Sequence, residues 1–184
     1  MEGKEALDSS GAEPRWAVIG MLGTTRNVLL AVGDAVLWAV WSGVCGYAAH
    51  RIPDPALRRD RLLRLRPFER GGRAYERILR IKAWKDTLPE AGSLFRGGFS
   101  KRRVARHDRA YLEQFLAETR RAERVHWAIA ALGPVFFAWN PWWLASAMVG
   151  YAIGANVPCI LVQRYNRARL VRLLGPRPVT DRVG

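Results

Sequence analysis

Charged residues are missing from one long part of this chain. No Asp, Glu, Lys or Arg occurs between Val125 and Gln163, a run of 39 residues. One transmembrane helix needs about 20 apolar residues, so the run predicts two spans joined by a turn. A second apolar region, Val28–Ala49, is interrupted only by Asp34. Together these regions exclude an ordinary soluble globule and predict an all-α integral membrane protein.

Acidic residues are also scarce, with 16 Asp and Glu against 30 Lys and Arg and a net charge of +14. Residues 51–124 hold 21 basic and 10 acidic side chains, and the tail from Arg164 holds six and one. Because basic loops stay in the cytoplasm, we expect the central loop and the C-terminus there, with the protein in the cell membrane. Since the basic residues border apolar spans and form no recognised module, nucleic acid is not expected as a partner. The three predicted spans are about 27–47, 125–139 and 142–163.

The sequence lacks several known catalytic and metal-binding motifs, and each missing motif argues against one class of reaction or site. The two cysteines, Cys45 and Cys159, lie in apolar segments and do not form a disulfide framework. Glu123-x-x-His126 resembles half of a di-iron motif, but the chain has no second such pair, so no metal site is predicted. Neither a Walker sequence nor a Gly-x-Ser-x-Gly element occurs, which argues against a nucleotide fold and a serine nucleophile.

The length of 184 residues fits a single membrane domain with polar ends. In the cytoplasmic loop 51–124, apolar periodicity predicts an amphipathic helix at 56–66 and another at 75–87. Between Gly92 and Arg103, glycines and basic residues could bind phosphate or simply form a flexible loop. The expected divisions are a partly disordered extension at 1–26, a domain at 27–174 and a tail at 175–184.

The segment Ala117–Trp127 leads from a charged helix into the uncharged run. At about 100° per residue, its carboxylate and imidazole fall on the aliphatic face and its arginines point away. One interpretation is that Glu123 orients His126 as a general base. The other is a membrane-entry helix in which Glu123 pairs with Arg120 or Arg124. The inward face is predicted to carry Leu112, Leu116, Thr119, Glu123 and His126.

Short stretches spread along the chain resemble the glycosyl-4,4'-diaponeurosporenoate acyltransferase family. They are Ile81–Pro89, Gly98-Phe99-x-Lys101, Glu118–Trp127, Trp139-Asn140-Pro141 and Gln163–Arg167. The resemblance covers roughly residues 28–174. It implies transfer of a fatty acyl group to a sugar hydroxyl of a glycosylated apolar lipid, which is a carotenoid glycoside or another glycolipid.

We therefore expect an O-acyltransferase with no bound cofactor and with acyl-CoA or an acyl-carrier protein as co-substrate. His126 and Glu123 are the expected catalytic residues, and Lys101, Arg164 or Asn166 could stabilise an oxyanion. The candidate substrate-binding residues are Lys85, Asp86, Lys101, Glu118, Arg121, Asn156, Gln163, Arg164 and Asn166.

The basic loop alone leaves open a second function, in which a non-enzymatic membrane module binds anionic lipid or scaffolds lipid-pathway enzymes. The expected partners of the enzyme are membrane lipid, a glycolipid acceptor and an acyl thioester donor. Self-association into a homo-oligomer is also left open.

Overall fold

The computed structural model describes residues 15–58, 63–88 and 109–175, and the secondary structure in these ranges is entirely helical. The all-α prediction is therefore confirmed for the described part of the chain. Short 3-10 helices occur at Pro67–Gly72, Lys85–Thr87 and Gly133–Ala138. The α-helices are α1 (Arg15–His50), α2 (Asp54–Arg58), α3 (Arg73–Ile78), α4 (Ile81–Trp84), α5 (Arg109–Ala130) and α6 (Trp142–Leu174).

The chain divides within α1 into two compact units, residues 1–37 and residues 38–184. In the first unit the structure describes one helical segment, which carries Asp34 near its end. The second unit contains the rest of α1 and every other described element.

Two helices are long and apolar enough to cross a membrane, Gly23–His50 and Trp142–Leu174. The second predicted span, 125–139, is not one continuous helix, because α5 ends at Ala130 and a 3-10 helix begins at Gly133. Pro134 has no N–H to donate within a helix, which accounts for the break at this point. Gly133 also packs closely, since an added Cβ would lie 3.0 Å from the Cβ of Ala152.

An apolar cluster fills the space between α5, α6 and the second half of α1. Trp38 stacks on Phe136 with ring centroids 5.5 Å apart, and Tyr151 meets Trp38 edge-on at 5.2 Å. The small side chains of α6 let these aromatic rings approach the helix. The buried members are Trp38, Cys45, Ile129, Phe136, Ala145 and Ala152.

The helices between α1 and α5 are shorter than the sequence predicts. The helix expected at 56–66 is wrong over its last residues, because Leu63 lies in a turn and residues 64–66 are not helical. The helix expected at 75–87 is interrupted at Leu79 and Arg80, where Arg80 adopts a left-handed φ of 48°. The break lets the indole of Trp84 donate to the Leu79 carbonyl at 2.9 Å, a contact that a continuous helix would not allow.

Arg121 of α5 binds the end of α1. Its Nη1 donates to the carbonyls of Ala49 at 2.7 Å and Ile52 at 2.8 Å. Its Nη2 lies 2.7 Å from Asp54. The last carbonyls of a helix have no partner within it, so this guanidinium satisfies groups that would otherwise need water. Arg121 is thus directed at the end of α1, and its hydrogen bonds within the described chain do not include the inward-face residues Glu123 and His126.

Candidate active site

A buried carboxylate on α5 is neutralised by two arginines of α6. Glu123 is fully buried, with 0% of its side chain exposed. Nη1 of Arg164 donates to its Oε1 at 2.7 Å, and Nη2 of Arg167 binds its Oε2. Residues three apart on a helix share a face, so α6 presents both guanidinium groups to the same carboxylate. The indole of Trp127 adds a longer contact of 3.4 Å.

Arg164 also binds a second carboxylate. Its Nε and Nη2 donate to the two oxygens of Glu69 at 2.6 and 2.7 Å, a bidentate pair. The hydroxyl of Tyr75 and the backbone N–H of Arg66 donate to the same carboxylate. We refer to Glu69, Tyr75, Glu123, Arg164 and Arg167 as the carboxylate–arginine network.

Two members of this network have strongly shifted pKa values. Burial alone would raise the pKa of Glu69, but hydrogen bonds from Arg164, Tyr75 and the backbone outweigh it and hold that pKa at about 2. Burial raises the pKa of Tyr75 to about 12, and its bond to the Glu69 carboxylate acts in the same direction. At neutral pH the network therefore holds an ionised Glu69 and a protonated Tyr75.

His126 forms a separate polar pair with Asn156 of α6. Its Nδ1 lies 3.0 Å from the Oδ1 of Asn156, whose Nδ2 donates to the carbonyl of Ala152 at 2.9 Å. Because the carbonyl takes the amide N–H₂, the amide oxygen must face the imidazole. That oxygen can only accept, so in a neutral ring Nδ1 carries the proton and Nε2 keeps its lone pair. The ring is thus oriented to accept a proton at Nε2.

The expected contact between Glu123 and His126 is wrong. Their spacing on α5 would let the side chains touch, but the arginines of α6 bind both carboxylate oxygens. Charge-assisted bonds to guanidinium are stronger than a bond to neutral imidazole. The alternative pairing of Glu123 with Arg120 or Arg124 is replaced in the same way. Burial of Thr119 and Glu123 does agree with the predicted inward face.

The other candidate residues lie in several places. Glu118 pairs with Arg121 at 3.2 Å, and Arg121 in turn binds carbonyls at the end of α1. Lys85 binds the neighbouring Asp86, whose side chain is largely exposed. Gln163 and Asn166 are partly buried on α6, on either side of Arg164. Lys101 and the glycine-rich loop around it lie outside the described residues.

Three residues of the network were not identified from the sequence as functional candidates: Glu69, Tyr75 and Arg167. Arg167 could have been found from its spacing, because it follows Arg164 by three residues on one helical face. Glu69 is one of few acidic residues in a basic segment, but only the fold brings it to Arg164, 95 positions further along.

A smaller polar group lies beside the network around Tyr165. Its hydroxyl donates to Glu76 at 2.7 Å, and Lys82 lies 2.9 Å from the same carboxylate. The bond from Lys82, followed by that from Tyr165, lowers the pKa of Glu76. The ring of Tyr165 packs against the backbone at Gly72, where an added Cβ would lie 3.0 Å from it.

Comparison with known proteins assigns the class and then the family. Residues 59–175 match the family model described as glycosyl-4,4'-diaponeurosporenoate acyltransferase. Proteins of that name from Staphylococcus aureus strains bovine RF122 / ET3-1 and MRSA252 are each 34% identical over 125 residues, 67% of this chain and 75% of theirs. The protein from strain USA300 is 33% identical over the same share. No solved structure matches the chain.

The chain is therefore an acyltransferase. It belongs to the glycosyl-4,4'-diaponeurosporenoate acyltransferase family, which confirms the resemblance noted in the sequence. Membership of an enzyme family argues against the alternative of a non-enzymatic lipid-binding or scaffolding module.

Proposed function

We propose that this acyltransferase moves a fatty acyl group from a thioester donor to a sugar hydroxyl of a glycosylated apolar lipid. The names of its relatives support a glycosyl-4,4'-diaponeurosporenoate acceptor. The observation that carries the chemistry is the His126–Asn156 pair, because its hydrogen bonds leave Nε2 of the imidazole as a proton acceptor.

In the proposed reaction, Nε2 of His126 removes the proton from the sugar hydroxyl as its oxygen attacks the thioester carbonyl. Asn156 holds the ring through Nδ1 and stabilises the imidazolium that forms. The tetrahedral intermediate collapses with loss of the thiolate, which takes the proton back from His126. The products are the ester and the free thiol, and the base is regenerated.

A base in this position needs a nearby group that stabilises the developing oxyanion. Arg164 and Asn166, which follow Asn156 on α6, stay predictions for this role. Lys101 stays a prediction for the same role. Glu123 is then a positioning residue, because it holds Arg164 through the 2.7 Å ion pair.

We infer that the protein is integrated in the cell membrane with the central loop and the C-terminus in the cytoplasm. Support comes from the two apolar helices and from the basic residues that follow each of them. The segment Val125–Trp139 then crosses as a broken helix, because it joins a cytoplasmic α5 to the outer end of α6. In this arrangement, the acceptor's apolar part lies among the helices and its sugar reaches His126.

The test is acyl transfer by purified protein to a glycosylated carotenoid, with His126→Ala and Asn156→Leu compared with His50→Ala as the control. Loss of the base is expected to reduce kcat by about 10²-fold or more, while the exposed His50 is not required. Asn156→Leu is expected to give an intermediate loss. A folded His126→Ala protein with full activity contradicts the proposed base.

A further inference from the structure

A groove lined by five arginines lies at the C-terminal end of α6. Its volume is about 670 Å³, and the described residues that line it include no carboxylate. Aliphatic side chains from the Leu63–Leu65 turn and from α6 form part of its wall. The arginines are Arg64, Arg73, Arg120, Arg167 and Arg172.

Arg167 supplies a second, independent observation. It is 99% buried, and its Nη2 binds Glu123. Its Nε and Nη1 are buried and have no hydrogen-bond partner within the described chain. A buried donor without a partner is costly, and a guanidinium fork matches the oxygens of a phosphate. An anion that enters the groove would supply the acceptors that the protein lacks there.

One residue of the groove, Arg167, lies on the same helix as Asn156, the partner of the proposed base. Asn156 and Arg167 are 11 residues apart on α6, which is about three turns, so they fall on the same face roughly 16 Å apart. An extended phosphopantetheine arm has a comparable length from its phosphate to its sulfur. A donor with its phosphate in the groove could thus present its thioester near His126.

We propose that this five-arginine groove binds the phosphate groups of the acyl donor, a phosphopantetheine thioester. This assignment rests on the proposed function, and it places the phosphate site elsewhere than the segment between Gly92 and Arg103, which the sequence offered as a possible phosphate-binding loop. The exposed Arg64, Arg73 and Arg172 contact phosphate oxygens, and Arg167 forms the floor of the site. The aliphatic wall lies against the pantetheine chain.

Binding without turnover tests the proposal. Full-length protein in detergent is titrated with coenzyme A, 4'-phosphopantetheine and pantetheine, which lacks phosphate. We expect pantetheine to bind at least about tenfold more weakly than the two phosphate-bearing ligands, because charge-assisted bonds are lost. Arg64→Gln, Arg73→Gln and Arg172→Gln should each raise the Kd for coenzyme A about tenfold. The matched control Arg77→Gln, an exposed arginine of α3 outside the groove, should leave the Kd unchanged.

Equal affinity for pantetheine, or unchanged affinity in all three groove variants, overturns the proposal. A phosphate could also come from a lipid headgroup, so vesicles of phosphatidylcholine with and without phosphatidic acid form a separate arm. If the variants lose binding to the acidic vesicles and keep their affinity for coenzyme A, the donor assignment is overturned.

The failure of this site and that of the proposed function are distinguishable. His126→Ala should bind coenzyme A like the unmodified protein, since it lies outside the groove. In activity assays, the groove variants should raise KM for the donor and leave kcat unchanged. A fully active His126→Ala protein removes the proposed base without affecting the binding data.

Discussion

The apolar cluster and the carboxylate–arginine network both join α6 to other helices, but they do so by different means. The cluster consists of aromatic and small side chains with no charge, whereas the network buries two carboxylates and two guanidinium groups. When an apolar side chain is lost, a cavity forms but its neighbours remain in apolar surroundings. Loss of one charge leaves its partner buried and uncompensated. We therefore expect the network to be the more fragile of the two.

The largest effect is expected for Glu123→Gln, which leaves Arg164 short of one carboxylate and Arg167 without its ion pair. Removing one partner of a buried pair costs about 3–5 kcal/mol, measured as the free energy of unfolding in detergent. The control is Glu113→Gln, since the Arg109–Glu113 pair at 3.3 Å is partly exposed and should contribute less than about 1 kcal/mol. Equal losses of unfolding free energy in the two variants would contradict the expectation that the buried network is the more fragile.

Phe136→Ala should give the next largest effect, about 3 kcal/mol, because it removes a ring that is 0% exposed and stacks on Trp38. Its neighbour Phe137 is 51% exposed, so Phe137→Ala is a matched control with a small expected effect. Thermal unfolding of both variants tests the prediction. If Phe137→Ala is the more destabilising, the cluster does not organise this part of the fold.

The network should also make stability depend on pH. The pKa of Glu69 falls from 4.5 to about 2 in the folded protein, so its contribution is present above about pH 4.5 and is lost as pH falls toward 2. The shift corresponds to about 3 kcal/mol. The free energy of unfolding is measured at pH 7, 4 and 3 for the unmodified protein and for Glu69→Gln. The gap between the two values should become smaller as the pH falls. A gap that stays constant rules out this carboxylate as the source.

The smallest expected effect on stability is the difference between alanine substitutions at two adjacent glycines beside the network. Gly71 and Gly72 both have positive φ, at 75° and 76°, so alanine at either costs about 1–2 kcal/mol. Only at Gly72 would the added Cβ also crowd a ring, 3.0 Å from Tyr165, against 3.8 Å from Arg172 at Gly71. Gly72→Ala should therefore be the more destabilising by about 1 kcal/mol in chemical unfolding. Equal losses would mean that the ring moves aside freely.

The sequence predicted features that depend on local pattern. The helical class and the burial of Glu123 follow from apolar periodicity. Asn156, a candidate substrate-binding residue in the sequence analysis, is a polar side chain in an apolar helix, where it is costly unless it has a partner. Its partner in the structure is His126.

The sequence could not show which charges meet. Glu123 has arginines within one turn on α5, and periodicity alone cannot rank these against Arg164 and Arg167 on another helix. The Glu69–Arg164 pair joins residues 95 positions apart, and no local pattern encodes it. The interruption at Arg80 depends on a left-handed backbone that arginine does not favour.

Because α6 runs without interruption from Trp142 to Leu174, the number of residues between Asn156 and Arg167 fixes their relative direction. One inserted residue would turn the distal arginines about 100° away from Glu123 while the amide stayed beside His126. Three or four inserted residues would nearly restore the direction and add about 5 Å of length. The helix is thus a spacer in which the rotation caused by each inserted residue has a larger effect on the site than the small change in length.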